Sequence, residues 1–191
     1  MAAHHDSESY RQVEITSQLS QRPAPRRDET RVLLMLAQTI AEQPDQSLQL
    51  LVDCAMRITS AHSTGISIAD VENNEDVFRW VATAGRFAPH LHATLPRWFS
   101  PCGDTVRTGH VLLMRDPVRH YPYVASLGVP VTEVLLSPIR RHGELVGTVW
   151  AALHDDSKRF DAEDARLLSS LTDFVSDTAD LMDRLSFGQT L

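Results

Sequence analysis

The sequence predicts an α+β domain, because segments with helix and strand periodicity follow one another in a definite order. A pair of amphipathic helices comes first, two strand–turn–strand units follow, and a long amphipathic helix closes the chain. Apolar residues follow the helical repeat in the helices and every second position in the strands. The polar segments between them are rich in Gly, Pro, Asn and Asp, which are typical of turns.

Length and composition are those of one globular domain. The chain has 191 residues and a mass of 21.4 kDa, and 42% of its residues are hydrophobic. We place the domain at 28–186, between a polar N-terminal arm at 1–27, expected to be flexible, and a short tail at 187–191. A net charge of -7 argues against nucleic acid as a partner.

Cysteine content and apolar segments bear on the compartment. Cys54 and Cys102 are too few to form a disulfide framework, and the N-terminus lacks the basic-then-apolar pattern of a secretory signal. No apolar run approaches the roughly 18 residues that span a bilayer. We therefore expect a cytoplasmic protein with no direct membrane contact.

The first regular region is a helix pair followed by a hairpin. One helix is predicted from Asp28 and another from about Ser47. Strand alternation then predicts strands at 65–70 and 77–84 around a turn at 72–76. The apolar faces of the two helices carry Val32, Leu33, Leu36 and Ile40, and Leu48, Leu51, Val52, Ala55 and Ile58.

The least regular part of the domain concentrates the reactive side chains. Residues 87–99 contain two prolines and predict short turns and loop. Residues 100–117 combine a thiol, acids, glycines and an imidazole, with a short helical turn expected at 105–108, a stop at Gly109 and a brief strand at 111–114. This segment is either a wall of a binding site or a plain connection.

A second hairpin and a closing helix complete the domain. Strands are predicted at 132–140 and 145–153, and the helix follows Asp161, the predicted N-cap, with Asp164 as a capping-box carboxylate. Its apolar stripe is wider than one sheet face needs, so part of it either packs within the monomer or meets a second subunit. The candidate dimer-interface residues are Leu36, Ile40, Leu168, Leu171, Val175, Met182 and Leu185.

Across roughly 29–185 these segments resemble the GAF family of small sensory domains. The resemblance rests on the helix pair and on five segments in order and spacing. They are Trp-Val-Ala-Thr-Ala-Gly at 80–85, Ser-Pro-Cys-Gly at 100–103, Val-Leu-Leu-Ser-Pro-Ile at 134–139, Glu-Leu-Val-Gly-Thr-Val at 144–149, and Phe-Asp-Ala-Glu-Asp-Ala-Arg-Leu-Leu at 160–168.

The resemblance implies a topology and a role that periodicity alone does not give. It implies a central antiparallel sheet of five to six strands, with the N- and C-terminal helices packed on one face. Loops and short helices cover a ligand pocket on the other face, and the helices often build a homodimer. It implies a sensory or regulatory module that works with a histidine kinase, a cyclase or a transcription regulator.

A pocket in such a fold would be mainly apolar with a few polar groups, which suits a small organic ligand. The alternative is that the same aromatic side chains simply fill the core, giving a protein-interaction domain without a ligand. The candidate ligand-binding residues are Trp80, Trp98, Phe99, Cys102, Asp104, His110, Met114, Asp116, Tyr121, Tyr123, Ser137 and Trp150.

Cys102 is the one candidate for covalent or redox chemistry, as a thiol sensor or in a small redox enzyme. Members of the resembled family that carry a bilin place a histidine directly after the attachment cysteine, whereas Gly103 and Asp104 follow here. The histidines are too scattered to indicate haem or a metal site. We therefore expect a non-catalytic sensor of an unidentified small molecule, with bilin and haem disfavoured.

Overall fold

The predicted helix pair, two hairpins and closing helix occur in the predicted order, in a computed structural model that describes residues 13–14, 26–43 and 46–188. The helices are α1 Arg26–Glu42, α2 Ser47–Thr59, α3 Pro101–Thr108, α4 Pro117–His120 and α5 Ala162–Gly188. The strands are β1 Val13–Glu14, β2 Ser63–Glu72, β3 Glu75–Gly85, β4 Thr94–Pro96, β5 Leu112–Arg115, β6 Glu133–Arg141 and β7 Glu144–Leu153. Short 3-10 turns lie at Ala88–His90 and Pro122–Leu127.

One antiparallel sheet forms the centre of the domain, in the order β1-β5-β6-β7-β2-β3-β4. The six strands β2 to β7 confirm the expected α+β architecture. The two residues of β1 pair with β5 at one edge. The rest of the predicted N-terminal arm up to residue 25, and residues 189–191 of the tail, lie outside the described residues.

Both hairpins turn on two residues with positive φ. Asn73 and Asn74 have φ of 52° and 64°, and His142 and Gly143 have φ of 53° and 84°. Such tight turns match the twist of the strands they join, and Asn and Gly tolerate the left-handed region best. The hairpin predicted from the strands at 132–140 and 145–153 is therefore confirmed, and the first hairpin is longer than its predicted strands.

The long helices cover one face of the sheet and build the larger core. α5 packs on β6 and on α2, α2 packs on β2 and β3, and α1 packs on α2. The buried residues of this helix-side core include Leu36, Leu51, Val52, Cys54, Ile66, Leu135, Val149, Leu153, Phe160, Leu168 and Leu171. Burial on this face accounts for the helical periodicity in the sequence.

The start of α5 is fixed by the predicted capping box. The side chain of Asp161 accepts hydrogen bonds from the backbone N–H groups of Glu163 at 2.9 Å and Asp164 at 3.0 Å. Asp164 reaches back to accept from the Asp161 N–H at 3.1 Å. Two backbone N–H groups of the first helical turn, which have no partner within the helix, are thereby hydrogen-bonded. The N–H group of the cap residue is hydrogen-bonded as well.

A bulge in β3 changes the sheet face that the side chains of the strand take beyond it. Ile66 of β2 pairs with Ala82, whereas the next residue, Ser67, pairs with Trp80, so Val81 has no cross-strand partner. An extra residue in one strand shifts its two-residue alternation. Ala82 and Ala84 therefore belong to the helix-side core, whereas Trp80 packs on the opposite face.

Two expectations about the middle of the chain are corrected. Residues 87–99 contain a strand, β4, which pairs with β3 through Leu95 and Phe78. α3 begins at Pro101, and Ser100 caps it by accepting a hydrogen bond from the Gly103 N–H at 3.0 Å. Cys102 therefore lies in the first turn of a helix and not in a loop. Proline is favoured at the first helical position, where its missing N–H costs nothing.

The described part of the chain contains no helix that is both long and apolar enough to cross a membrane.

Candidate functional site

A cavity lies on the face of the sheet opposite the long helices. Strands β3, β4, β6 and β7 form its floor. α3 and the stretch 117–131, here called the covering segment, lie over it. The lining side chains are Trp80, Phe87, Leu95, Pro101, Cys102, Pro117, Val124, Leu127, Val131, Val134, Leu136, Trp150 and Ala152. They carry no charge.

The cavity is small in this conformation. Its volume is about 50 Å³, whereas one water molecule occupies about 30 Å³ of the liquid and pockets for drug-sized ligands span roughly 300–1,000 Å³. A ligand larger than a few heavy atoms therefore requires the walls to move. The covering segment is the part of the wall with the least regular structure.

Three aromatic rings form one side of the cavity. The centroids of Trp80 and Trp150 are 4.7 Å apart, and Phe87 meets both rings edge-on at 5.3 and 5.8 Å. Gly65 gives Trp150 room, because a Cβ at that position would lie 2.2 Å from Cζ2 of the indole. The glycine thus lets the indole lie directly against β2.

Few polar atoms approach the cavity. The Oγ of Ser67 accepts hydrogen bonds from Trp150 Nε1 at 3.0 Å and from Cys102 Sγ at 3.4 Å. Trp80 Nε1 is buried and has no hydrogen-bond partner among the described residues. One indole N–H is therefore satisfied by the protein and the other is not.

The thiol of Cys102 is placed for packing and not for redox chemistry. Its side chain is buried, and burial raises the pKa of the thiol despite the neighbouring hydroxyl groups of Ser67 and Thr148. Cys54 lies in the helix-side core, across the sheet, and burial raises its pKa as well. A reactive thiol needs a lowered pKa and access to solvent. The geometry does not support the thiol-based alternative.

Polar contacts at both ends fasten the covering segment to the body of the domain. The Tyr121 hydroxyl donates to Asp104 Oδ2 of α3 at 2.6 Å. At the other end, the Pro130 carbonyl lies 2.7 Å from Nδ1 of His154, at the end of β7. These contacts join the segment to α3 and to the sheet.

His154 connects the covering segment to β2. A carbonyl only accepts hydrogen bonds, so Nδ1 carries the proton toward Pro130, and Nε2 then accepts from the hydroxyl of Ser63 at 2.7 Å. Burial lowers the pKa of His154, which keeps the ring neutral. Ser63 is fully buried, so the pair links elements and does not expose a nucleophile. Sequence reasoning did not anticipate this pair.

The predicted ligand-binding residues divide into three groups. Trp80, Cys102 and Trp150 line the cavity. A second group lies beside it, where Tyr121 contacts Phe99 edge-on at 5.2 Å and Tyr123 at 6.3 Å, Asp104 accepts from Tyr121, and Met114 packs against the same cluster. The third group lies away from it and comprises Trp98, His110, Asp116 and Ser137.

Each residue of the third group has a physical reason for its position. Trp98 is 71% exposed and donates to Asp76 on the surface. His110 and Asp116 are exposed ends of short connections. Ser137 alternates in β6 with the cavity-facing Leu136, and its neighbours Leu135 and Ile139 belong to the helix-side core, so it faces the helices.

Most of the residues proposed for a dimer interface are buried or partly buried within the chain. Leu36, Leu168 and Leu171 are at most 1% exposed and fill the helix-side core, which corrects their assignment to a subunit contact. Val175 is partly buried against the same core. The side chains of Ile40, Met182 and Leu185 lie outside the described residues.

The wall residues that sequence reasoning missed come from two sources. Val134, Leu136 and Ala152 lie on the same faces of β6 and β7 as Trp150, so strand alternation could have identified them. Phe87, Val124, Leu127 and Val131 lie in irregular segments with no periodic signal. Within the described ranges, no group of three or more His, Cys, Asp or Glu side chains could hold a metal ion.

The sequence matches a family model described as GAF domain over residues 41–178. No curated protein sequence matches the chain.

Solved structures with this fold share little sequence with the chain. The GAF domain of a phosphoenolpyruvate-protein phosphotransferase from Coxiella burnetii has a TM-score of 0.68 at 18% identity, over 85% of this chain and 99% of that one. The free methionine-R-sulfoxide reductase from Neisseria meningitidis, in complex with its substrate, has 0.64 at 17%, over 86% and 98%. The second GAF domain of DevS from Mycobacterium smegmatis has 0.57 at 17%, over 77% and 97%.

Proposed function

The chain belongs to the GAF domain family, and from that premise we propose that it is a non-catalytic sensory domain that binds a small uncharged molecule in the cavity. The observation that carries the proposal is the cavity itself, with an uncharged lining on the face of the sheet away from the long helices. Buried apolar surface provides the binding free energy for such a ligand.

The similar structures support a regulatory role for the domain. GAF domains of a phosphotransferase and of DevS are among the similar structures, and the similar reductase was solved with a small substrate bound. In this chain the one candidate for redox chemistry, Cys102, is buried with a raised pKa. Cys102 and Cys54 are both free thiols, which fits a reducing compartment such as the cytoplasm.

Binding of a ligand in the cavity can change the position of α5 by moving the covering segment. Pro130 in that segment bonds to His154, and Glu133 just after it accepts a hydrogen bond from the Phe160 N–H at 2.9 Å, two residues before α5 begins. A ligand that shifts the covering segment therefore acts on both strands that lead to the long helix. Regulation then means a change in the position of α5.

Benzene tests whether the cavity takes a small apolar molecule. Binding to the folded state alone stabilises it, so benzene near its solubility limit should raise the melting temperature. Ala152→Val adds methyl groups to the wall and should remove the benzene shift while the variant still folds. A wild-type melting temperature unchanged by benzene would contradict the proposal.

We also propose that the chain forms a homodimer through the exposed side of its terminal helices. Leu34 of α1 is 63% exposed, which leaves a large apolar side chain on that surface. Light scattering should give a dimer mass, and Leu34→Glu should shift it to the monomer. Val71→Glu, an equal change at a 61% exposed position on the first hairpin, is the matched control. A monomer at all concentrations would contradict the dimer.

A second candidate is a protein-interaction domain whose aromatic core is filled. The small cavity volume of about 50 Å³ favours it. It predicts no response to benzene and no effect of Ala152→Val beyond a change in stability, so the same measurements separate the two.

A further inference from the structure

We propose that the molecule bound in this cavity is a small hydrocarbon without any hydrogen-bond donor or acceptor, and that the cavity rejects molecules of the same shape that carry one. The inference rests on the proposed function, because it concerns the same cavity. It narrows the ligand from an uncharged molecule to a wholly apolar one and adds the physical basis of the selectivity.

The surface of the cavity is the first observation. Within the part of the chain that the structure describes, no nitrogen or oxygen atom contributes to that surface. Trp80 and Trp150 line the space with the carbon atoms of their rings, and their indole nitrogens expose no area to it. Backbone amide and carbonyl groups of the surrounding strands are likewise covered. A ligand in the cavity therefore meets only apolar atoms.

Ser67 takes up the polar hydrogens of two lining side chains. Its Oγ accepts hydrogen bonds from Trp150 Nε1 at 3.0 Å and from Cys102 Sγ at 3.4 Å. Ser67 itself is fully buried and is not among the residues that line the cavity. The donors of these two wall residues are therefore used within the protein and are not offered to a ligand.

Water is a poor occupant of such a space. A buried water molecule typically makes about three hydrogen bonds and needs at least two polar partners. Between the apolar walls that the structure describes, it would give up the hydrogen bonds of the liquid without replacement. Cavities with apolar walls stay dry and admit apolar guests. A hydrocarbon in this space provides the dispersion contacts that the lining atoms otherwise lack.

The same surface disfavours ligands with polar groups. An ether oxygen or a ring nitrogen that enters the cavity loses its hydrogen bond with water and meets only apolar atoms on the described walls. A charged group loses still more, because the lining side chains are all uncharged and provide no counter-charge. Between two molecules of equal shape, the cavity therefore selects the one without the polar atom.

The walls and the volume suit a compact hydrocarbon. The rings of Trp80, Phe87 and Trp150 lie at centroid distances between 4.7 and 5.8 Å, and Val124 and Leu127 of the covering segment add aliphatic side chains. The cavity measures about 50 Å³, whereas an engineered apolar cavity that binds benzene measures about 150 Å³. A ring the size of benzene therefore requires movement of the covering segment, and a smaller ring requires less.

Cyclopentane and tetrahydrofuran form a matched pair of probes, because both are five-membered rings of similar size and only tetrahydrofuran carries an acceptor. Their affinities are measured by nuclear magnetic resonance titration of the methyl signals of Val131 and Leu136, which line the cavity. Cyclopentane should bind the wild-type protein, and tetrahydrofuran should bind at least about tenfold more weakly. Tenfold corresponds to about 1.4 kcal/mol, a typical cost of burying a polar atom without a partner.

Two variants that fill the cavity show where the probes bind. Ala152→Val adds methyl groups from β7 and Leu127→Phe adds a ring from the covering segment, so each folded variant should lose cyclopentane binding. If benzene binds but cyclopentane does not exceed tetrahydrofuran in affinity by tenfold, this inference is wrong and the proposed function stands. If neither hydrocarbon binds, or if neither variant weakens binding, both are wrong.

Discussion

At the scale of single residues, Cys102 shows how burial governs the chemistry of a thiol. Its position near the start of α3 places it close to helical N–H groups, which normally favour a thiolate. Burial nevertheless raises its pKa. The cost of desolvating a thiolate outweighs the stabilisation that the N-terminal end of α3 would give it. The side chain therefore behaves as a small apolar group that donates one weak hydrogen bond.

Thiol labelling tests this account of Cys102. In the native protein at mildly alkaline pH, labelling by a neutral disulfide reagent should be at least about tenfold slower than for a free model thiol. Cys54 should be equally protected, because burial raises its pKa too. In denaturant both should react at the model rate. Fast reaction of Cys102 in the native state would restore the redox alternative.

His154 gives the domain a stability that depends on pH. Burial lowers the pKa of His154 in the folded state, so the unfolded state binds the proton more readily. The free energy of unfolding therefore falls as the pH drops below the pKa that His154 has in the unfolded chain. The loss between about pH 7.5 and about pH 5.5 should be on the order of 1 kcal/mol. Urea unfolding measures it, and His154→Gln should flatten the slope by that amount. An equal slope in the variant would exclude this role.

At the scale of elements, α5 depends on its capping box. Asp161→Ala removes the acceptor for two backbone N–H groups and should lower the free energy of unfolding by about 1 kcal/mol. Asp173→Ala is the control, because Asp173 is exposed further along the same helix, and we expect a change within about 0.5 kcal/mol. Equal effects of the two changes in chemical denaturation would show that the cap contributes nothing.

Glu133 joins β6 to the approach to α5. Its fully buried carboxylate accepts from Arg115, from Arg159 and from the Phe160 N–H. Because both arginines are about half exposed, Glu133→Ala leaves no buried charge, and we expect a loss of about 2–3 kcal/mol in urea unfolding. Glu144→Ala, at an exposed site at the start of the paired strand β7, should change stability little. A Glu133→Ala loss below that of Glu144→Ala would contradict the assignment.

The sequence predicts most elements because their signals are local. The helix pair, both hairpins, Gly109 as a helix end and the Asp161 cap each follow from periodicity or from side chains a few residues apart. β4 has no local signal, because its three residues, which end in Pro96, are too few to show an alternation of their own. The bulge at Val81 was missed because only pairing with β2 reveals it.

At the scale of the whole molecule, the cavity could be predicted only in part. Trp80, Cys102 and Trp150 follow from the fold that the family resemblance implies, and all three line the cavity. Trp98 and Phe99 were placed with them because aromatic residues usually pack inside, yet they are 71% and 49% exposed. Which face a side chain takes depends on strand register and on segments distant in sequence, and neither has a local signal.

The contacts of the whole domain fit a sensor that converts a small ligand into a shift of helices. The cavity lies on one face of the sheet and the long helices lie on the other. The contact between Pro130 and His154 links the covering segment to the end of β7, and Glu133, two residues after the segment, accepts from the Phe160 N–H just before α5. Movement at the cavity can therefore reach the helix surface proposed for the homodimer.

The central claim, a cavity that admits a small apolar molecule, is tested most directly by a crystal structure under xenon pressure. Xenon enters dry apolar cavities and reports its position without any polar contact. We predict one xenon peak enclosed by Trp80, Phe87, Trp150 and Ala152. Ordered density for water at that position, or the absence of xenon there while it binds elsewhere in the same crystal, would contradict the account.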